Sequence, residues 1–179
     1  FYQGGFNPSE IPTVSYNVVQ FNRAGGNVDP ASLSTSGKIR VPALGSVTRL
    51  GYTLAGWSDG VSTYSPGAIY TAPAGTSSLS ATWTANSNTV SWDVNGGTAL
   101  ANSFFPTAGT LQKPTDPTKS NMVFGGWSTT ETSNNGDLAN RIESWPYSPN
   151  TTSAITLSAI WVSPCTSTTT TFVGTGTAN

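Results

Sequence analysis

Gly51-Tyr52-Thr53-Leu54-Ala55-Gly56-Trp57-Ser58 is answered later in the chain by Asn121-Met122-Val123-Phe124-Gly125-Gly126-Trp127-Ser128. Both copies give an alternating apolar run, then a Gly-Trp pair, then a polar loop rich in turn residues. A second landmark precedes each, Gln20-Phe21-Asn22-Arg23-Ala24-Gly25-Gly26 and Ser91-Trp92-Asp93-Val94-Asn95-Gly96-Gly97, a strand running into a double-glycine turn. A third closes each, Leu79-Ser80-Ala81-Thr82-Trp83 and Leu157-Ser158-Ala159-Ile160-Trp161. Gly25 lies 71 residues before Gly96, Trp57 lies 70 before Trp127, and Trp83 lies 78 before Trp161. Three landmarks in one order at nearly constant spacing mark a tandem duplication of one small β unit. The extra length falls mostly between Trp127 and Trp161, in a loop, where closure entropy makes insertion inexpensive.

The order of strand, Gly-Gly turn, Pro-bearing segment, Gly-Tyr-Thr-Leu-x-Gly-Trp and Leu-x-Ala-x-Trp resembles the Listeria-Bacteroides repeat, also called the internalin B-type repeat. The resemblance covers roughly residues 14 to 162. The first copy matches it through Gly51 to Trp57, and the second departs with Met122-Val123-Phe124 and a longer loop after Trp127. The resemblance implies a β-grasp-like module found in tandem in bacterial and archaeal secreted or wall-attached proteins, serving as stalk, spacer or adhesive surface. It implies no catalytic residues.

The residues themselves support an all-β reading with little or no helix. Val14 to Phe21 is a β-branched and aromatic run bounded by turn signals, and Lys38-Ile39-Arg40-Val41 alternates until Pro42. By strict alternation Tyr52 and Leu54 share one face of their strand, and Leu79, Ala81 and Trp83 share the inward face of theirs. Residues 27–37 read as loop or at most one helical turn, and residues 58–78 as loop. The domain layout is an N-terminal arm at 1–13, a first module at 14–85, a second at 86–162 and a Thr-rich tail at 163–179. A short linker near residues 84–88 joins the modules.

Composition narrows the class of protein. Only 8% of residues are charged, against about 25% in an ordinary soluble domain, while Ser, Thr, Asn and Gly abound, as in an extracellular β protein. Net charge is −1 and the basic residues are scattered, so nucleic-acid binding lacks its electrostatic footprint. No run of about 18 apolar residues predicts a membrane-inserted helix.

The chain has no histidine, which removes Ser-His-Asp and Cys-His catalysis and most catalytic zinc sites. No phosphate-binding glycine loop is present. The carboxylates at Glu10, Asp29, Asp59, Asp93, Asp116, Glu131, Asp137 and Glu143 mostly fall at non-equivalent positions of the two copies. The expectation is a non-enzyme without metal or cofactor.

Remaining candidates concern contact. Phe1, Tyr2, Phe6 and Ile11 form an aromatic arm that either straps its own module or inserts into a neighbouring subunit as an added strand. Tyr64, Tyr70, Trp145 and Tyr147 either stack on sugar rings or cover the cores of their modules. Asn150-Thr151-Thr152 is an N-glycosylation sequon. Cys165, the single cysteine, is either an inert thiol or an intermolecular disulfide partner.

The expected function is an extracellular structural protein, a cell-surface stalk or spacer or a self-assembling filament subunit. An adhesin or carbohydrate-binding module is the alternative. Expected partners are copies of itself, other cell-surface proteins or glycans.

Overall fold

The computed structural model describes residues 15–130, 138 and 140–164. The arm with Phe1, Tyr2, Phe6 and Ile11, together with Cys165 and the residues after it, lies outside the described residues. Among those described there are eleven strands and no helix, so the protein is all-β. The chain divides into two compact units between Asn86 and Ser87.

The first unit comprises β1 (Asn17–Asn22), β2 (Leu33–Thr35), β3 (Lys38–Arg40), β4 (Tyr52–Ser58), β5 (Thr63–Tyr64), β6 (Ile69–Thr71) and β7 (Thr76–Ala85). Its main sheet runs β2-β1-β7-β4-β5, with β1 and β7 parallel at the centre. A β3-β6 ribbon packs on that sheet, so Ile39, Val41, Tyr70 and Ala72 share one core with Val19, Phe21, Leu54, Trp57, Leu79 and Ala81. Two layers around one apolar core is the minimal way to bury both inner faces.

The second unit comprises β8 (Ser87–Asp93), β9 (Ser103–Pro106), β10 (Val123–Ser128) and β11 (Ile155–Val162), in the order β10-β11-β8-β9 with β8 and β11 parallel. It repeats the first plan. A Leu111–Tyr147 bridge stands where Ile39 pairs with Tyr70 in the ribbon. The core repeats as well: Phe21 meets Trp57 edge-on at 5.1 Å, and Trp92 meets Trp127 at 4.6 Å. Such ring pairs add about 0.5–1.5 kcal/mol beyond the area they bury.

Strands run further than the sequence reading allows. The segments read as loops contain β2, β5, β6 and the start of β7, and the linker near residues 84–88 is strand except for Asn86. These short strands carry too few residues to display a period, and pairing with distant segments decides them.

The two glycines of each double-glycine turn do different work. Ala24 and Gly25 both have positive φ, as do Asn95 and Gly96, and the turn closes with Gly26 N donating to Arg23 O and Gly97 N to Val94 O, each at 2.9 Å. Positive φ at both central residues is the hairpin-type reversal that favours Asn and Gly. The second glycine serves packing. A Cβ on Gly97 would lie 2.5 Å from Trp161 Cζ2, and one on Gly26 would lie 2.6 Å from Val47 Cγ2 and 3.0 Å from Trp83 Cζ2. Each indole also donates Nε1–H to the turn, Trp83 to Arg23 O at 3.1 Å and Trp161 to Val94 O at 3.0 Å. Trp161 is buried, whereas Trp83 is only half-buried at the edge of its core.

A bulge corrects the parity of the Gly-Trp strands. On β4, Leu54 pairs with Trp83 and Trp57 with Ala81, two intervening residues facing one on β7. On β10, Phe124 pairs with Trp161 and Trp127 with Ala159 in the same way. Without the extra residue Trp57 would point away from Leu54, whereas the bulge turns both inward.

After β4 the chain reverses through Asp59, whose Oδ1 accepts from Val61 N at 2.9 Å and Ser62 N at 2.7 Å, and whose Oδ2 accepts from the Tyr64 hydroxyl at 2.9 Å. The backbone bonds, chiefly from Ser62 and then Val61, hold the Asp59 carboxyl below its ordinary range, and the Asp59 bond pushes the Tyr64 phenol up.

Two outcomes follow. Gly97→Ala should destabilise the second unit by about 1–3 kcal/mol through forced displacement of Trp161, and Gly96→Ala by about 1 kcal/mol through positive φ alone. Calorimetry of both variants checks this, and a larger loss for Gly96→Ala would place the strain in the turn rather than at the ring. For Asp59 the folded pKa is depressed, so its contribution is intact above the unfolded carboxylate value of about 3.9 and fades as pH falls through the folded value. The melting-temperature gap between the native chain and Asp59→Asn should therefore be largest near neutral pH and close under acid. A gap constant down to about pH 2 would show that the charge is not its source.

Candidate functional site

The four aromatics singled out for stacking fall into two pairs, one in each unit. Tyr70 is buried, 4% exposed, opposite Ile39 in the ribbon, and offers no face to a ligand. Tyr64 is half-buried, lies edge-on to Tyr70 at 5.0 Å and spends its hydroxyl on Asp59. In the first unit the stacking expectation is therefore corrected: these rings seal the open side of the core.

The second unit differs. Tyr147 is fixed by a reciprocal backbone pair with Leu111, N to O at 2.8 and 2.9 Å, and its ring meets Trp145 at 6.1 Å. Trp145 in turn leans on Trp92 at 6.5 Å. Both remain half-buried. Tyr147 also lines a cleft of about 220 Å³ with Thr129, Pro149, Thr151, Ile155, Thr156 and Leu157. β11 supplies Ile155, Thr156 and Leu157, Thr129 follows β10, and Pro149 and Thr151 flank the sequon asparagine. The cleft is small beside the roughly 300–1,000 Å³ of typical small-molecule sites.

Three threonine side chains, one tyrosine and apolar carbon line this cleft. That set can stack a planar or ring-shaped molecule on Tyr147 and exchange hydrogen bonds with hydroxyls. It contains no carboxylate, amine or thiol to move a proton near neutral pH. Thr151 Oγ1 accepts from Ser153 N at 3.2 Å, fixing the rim. Asn150 is exposed on that rim in the left-handed region, φ +49°, an accessible position for a sequon.

Charged groups are engaged in structure. Asp29 accepts from Arg23 N, Asp93 from Asn95 N, and Asp116 pairs with Lys113 at 2.7 Å. Arg141 grips Glu143 with two bonds of 3.0 and 2.7 Å and donates to the Gly125 carbonyl at the β10 bulge at 3.3 Å. The Arg141 hydrogen bonds hold the Glu143 carboxyl below its ordinary value, and Glu143 raises Arg141 in return. Glu143 is exposed and Arg141 about one-third exposed, so solvent screens the pair and it contributes little to stability. Glu10, Glu131 and Asp137 lie outside the described residues. Among those described, no three His, Cys, Asp or Glu side chains cluster as a metal site, and no helix is long and apolar enough to cross a membrane.

The sequence reading missed the cleft. Thr129 and Thr156 carry no motif, Thr151 is only the middle residue of the sequon, and the crossing of β11 by the segment after Tyr147 brings them together.

No curated protein matches the chain. The family model of the Listeria-Bacteroides repeat domain matches twice, at residues 16–86 and 89–160. Each span falls within one unit and takes in its double-glycine turn and bulged Gly-Trp strand, and the second stops one residue short of Trp161. The chain belongs to the Listeria-Bacteroides repeat family, of which it carries two tandem copies.

Proposed function

We propose that the chain is an extracellular structural protein, a stalk or spacer at a cell surface, acting without catalysis. The observation that carries this reading is that two separately cored β units follow one another with only Asn86 between β7 and β8. Membership of a repeat family typically associated with surfaces supports the location. Each unit consumes its landmark aromatics and its described carboxylates in its own structure. A repeat whose chemistry is spent internally sets distance rather than turning over substrate.

A filament subunit is the assembling form of the same reading, with the aromatic arm as its joint. The cleft beside Tyr147 favours a second reading, an adhesin or carbohydrate-binding module whose ligand stacks on that ring.

Antibodies against the purified chain should label intact producing cells, and labelling that requires lysis would overturn the surface location. Light scattering of the chain beside a version lacking residues 1–13 separates the two structural forms. Oligomers lost on truncation establish assembly through the arm, while monomers in both remove it. On a glycan array, a signal abolished by Tyr147→Ala would favour the binding module, and a blank array would remove it.

A further inference from the structure

We infer that each unit is a load-bearing clamp, in which tension on the chain is met by the central parallel strand pair in shear. The inference rests on the spacer reading for its biological meaning and on topology for its physics.

The chain enters the first unit through β1 and leaves through β7, and these two strands are parallel neighbours. Entry and exit therefore lie at opposite ends of one pair. Tension applied through the chain drags β1 backward and β7 forward along their common axis. The evenly spaced bonds of a parallel ladder then carry load together, in register from Val18 opposite Thr76 to Asn22 opposite Ser80. An entry and exit pair running antiparallel would instead open one bond at a time. In the second unit β8 and β11 reproduce the arrangement, from Val90 opposite Ile155 to Asp93 opposite Ser158.

Two further contacts oppose sliding. The exit strand is held in two stretches, by β1 over residues 76–80 and by β4 over residues 80–85. β11 is likewise held by β8 over 155–158 and by β10 over 158–162. Beyond the ladder, Trp83 and Trp161 peg the exit strand to the turn that ends the entry strand, through the indole bonds to Arg23 O and Val94 O. Forward movement of β7 or β11 must pull that ring off its glycine. Because Asn86 alone separates β7 from β8, the exit strand of one clamp transmits force to the entry strand of the next with no slack chain to extend first.

Single-molecule pulling tests this on the whole chain. Held through its two ends, the chain should show two rupture events, one per unit. In a Cys165→Ser background, Ser15→Cys with Ala74→Cys moves the attachment points to exposed positions at the same end of the β1-β7 pair, so that pulling peels the ladder. The first unit should then rupture at a force several-fold lower, since forced unfolding follows the barrier to opening and not the equilibrium stability. Equal forces in the two geometries would overturn the clamp. Surface labelling of intact cells is independent of these curves: labelled cells with equal forces keep the spacer and lose the clamp, and strong shear resistance in a chain confined to the cell interior keeps the clamp and loses the spacer.

Discussion

The contact between the closing tryptophan and the double-glycine turn is the constraint on which each unit depends. A ring edge can approach a backbone closely only where no Cβ intervenes, and Gly26 and Gly97 supply that gap. In return the indole nitrogen satisfies the carbonyl opening the turn, so one side chain fills space and pays a polar debt together. This contact ties the last strand of a unit to the end of its first. With those strands side by side and parallel, the remaining strands can only add at the flanks, which gives the shared order of both sheets.

The bulge is the second fixed feature, and it follows from the first. Trp83 must face the turn, which sets the parity of β7, and Leu54 opposite it must face the core. Three residues on, strict alternation would expose Trp57, the largest side chain in the core. Inserting Ala55 as the unpaired residue restores it. In the second unit Gly125 takes that place, and Arg141 binds its carbonyl. Such an arrangement carries its information in the spacing of Leu-x-x-Trp and Phe-x-x-Trp rather than in alternation.

That difference explains what could be read beforehand. Duplication, the double-glycine turns and the main strands were legible, because turn chemistry and β-rich runs are local. Recurrence marks Trp57, Trp83, Trp127 and Trp161 as core, and of these Trp83 is only half-buried. The face presented by each Gly-Trp strand was not legible, since one inserted residue inverts it. Nor were β5, β6 and the role of Tyr70, whose place depends on Ile39 thirty-one positions earlier. For the site, Tyr64, Tyr70, Trp145 and Tyr147 look alike as sequence, four rings in polar surroundings. Tyr70 and Tyr147 even hold the same ribbon position in their units, and burial alone separates them, Tyr70 enclosed and Tyr147 half-buried beside a cleft.

The differences between the copies show where the scaffold leaves freedom. Whatever the fold requires is kept twice: the positive-φ pair, the second glycine, the bulge, the ring pair and the parallel clamp. What departs is the crossing after the Gly-Trp strand. In the first unit Asp59 gathers two backbone amides and the Tyr64 hydroxyl, closing the loop on itself and leaving its rings edge-on over the core. In the second unit Thr129 stands at that position. A longer segment runs past Arg141 and Trp145 to Tyr147, and a cleft opens between it and β11. Folding explains the features held in common, and it does not require the cleft. The second unit therefore combines the strand frame of the first with a surface that diverges from it, and the divergence leaves the central parallel pair undisturbed.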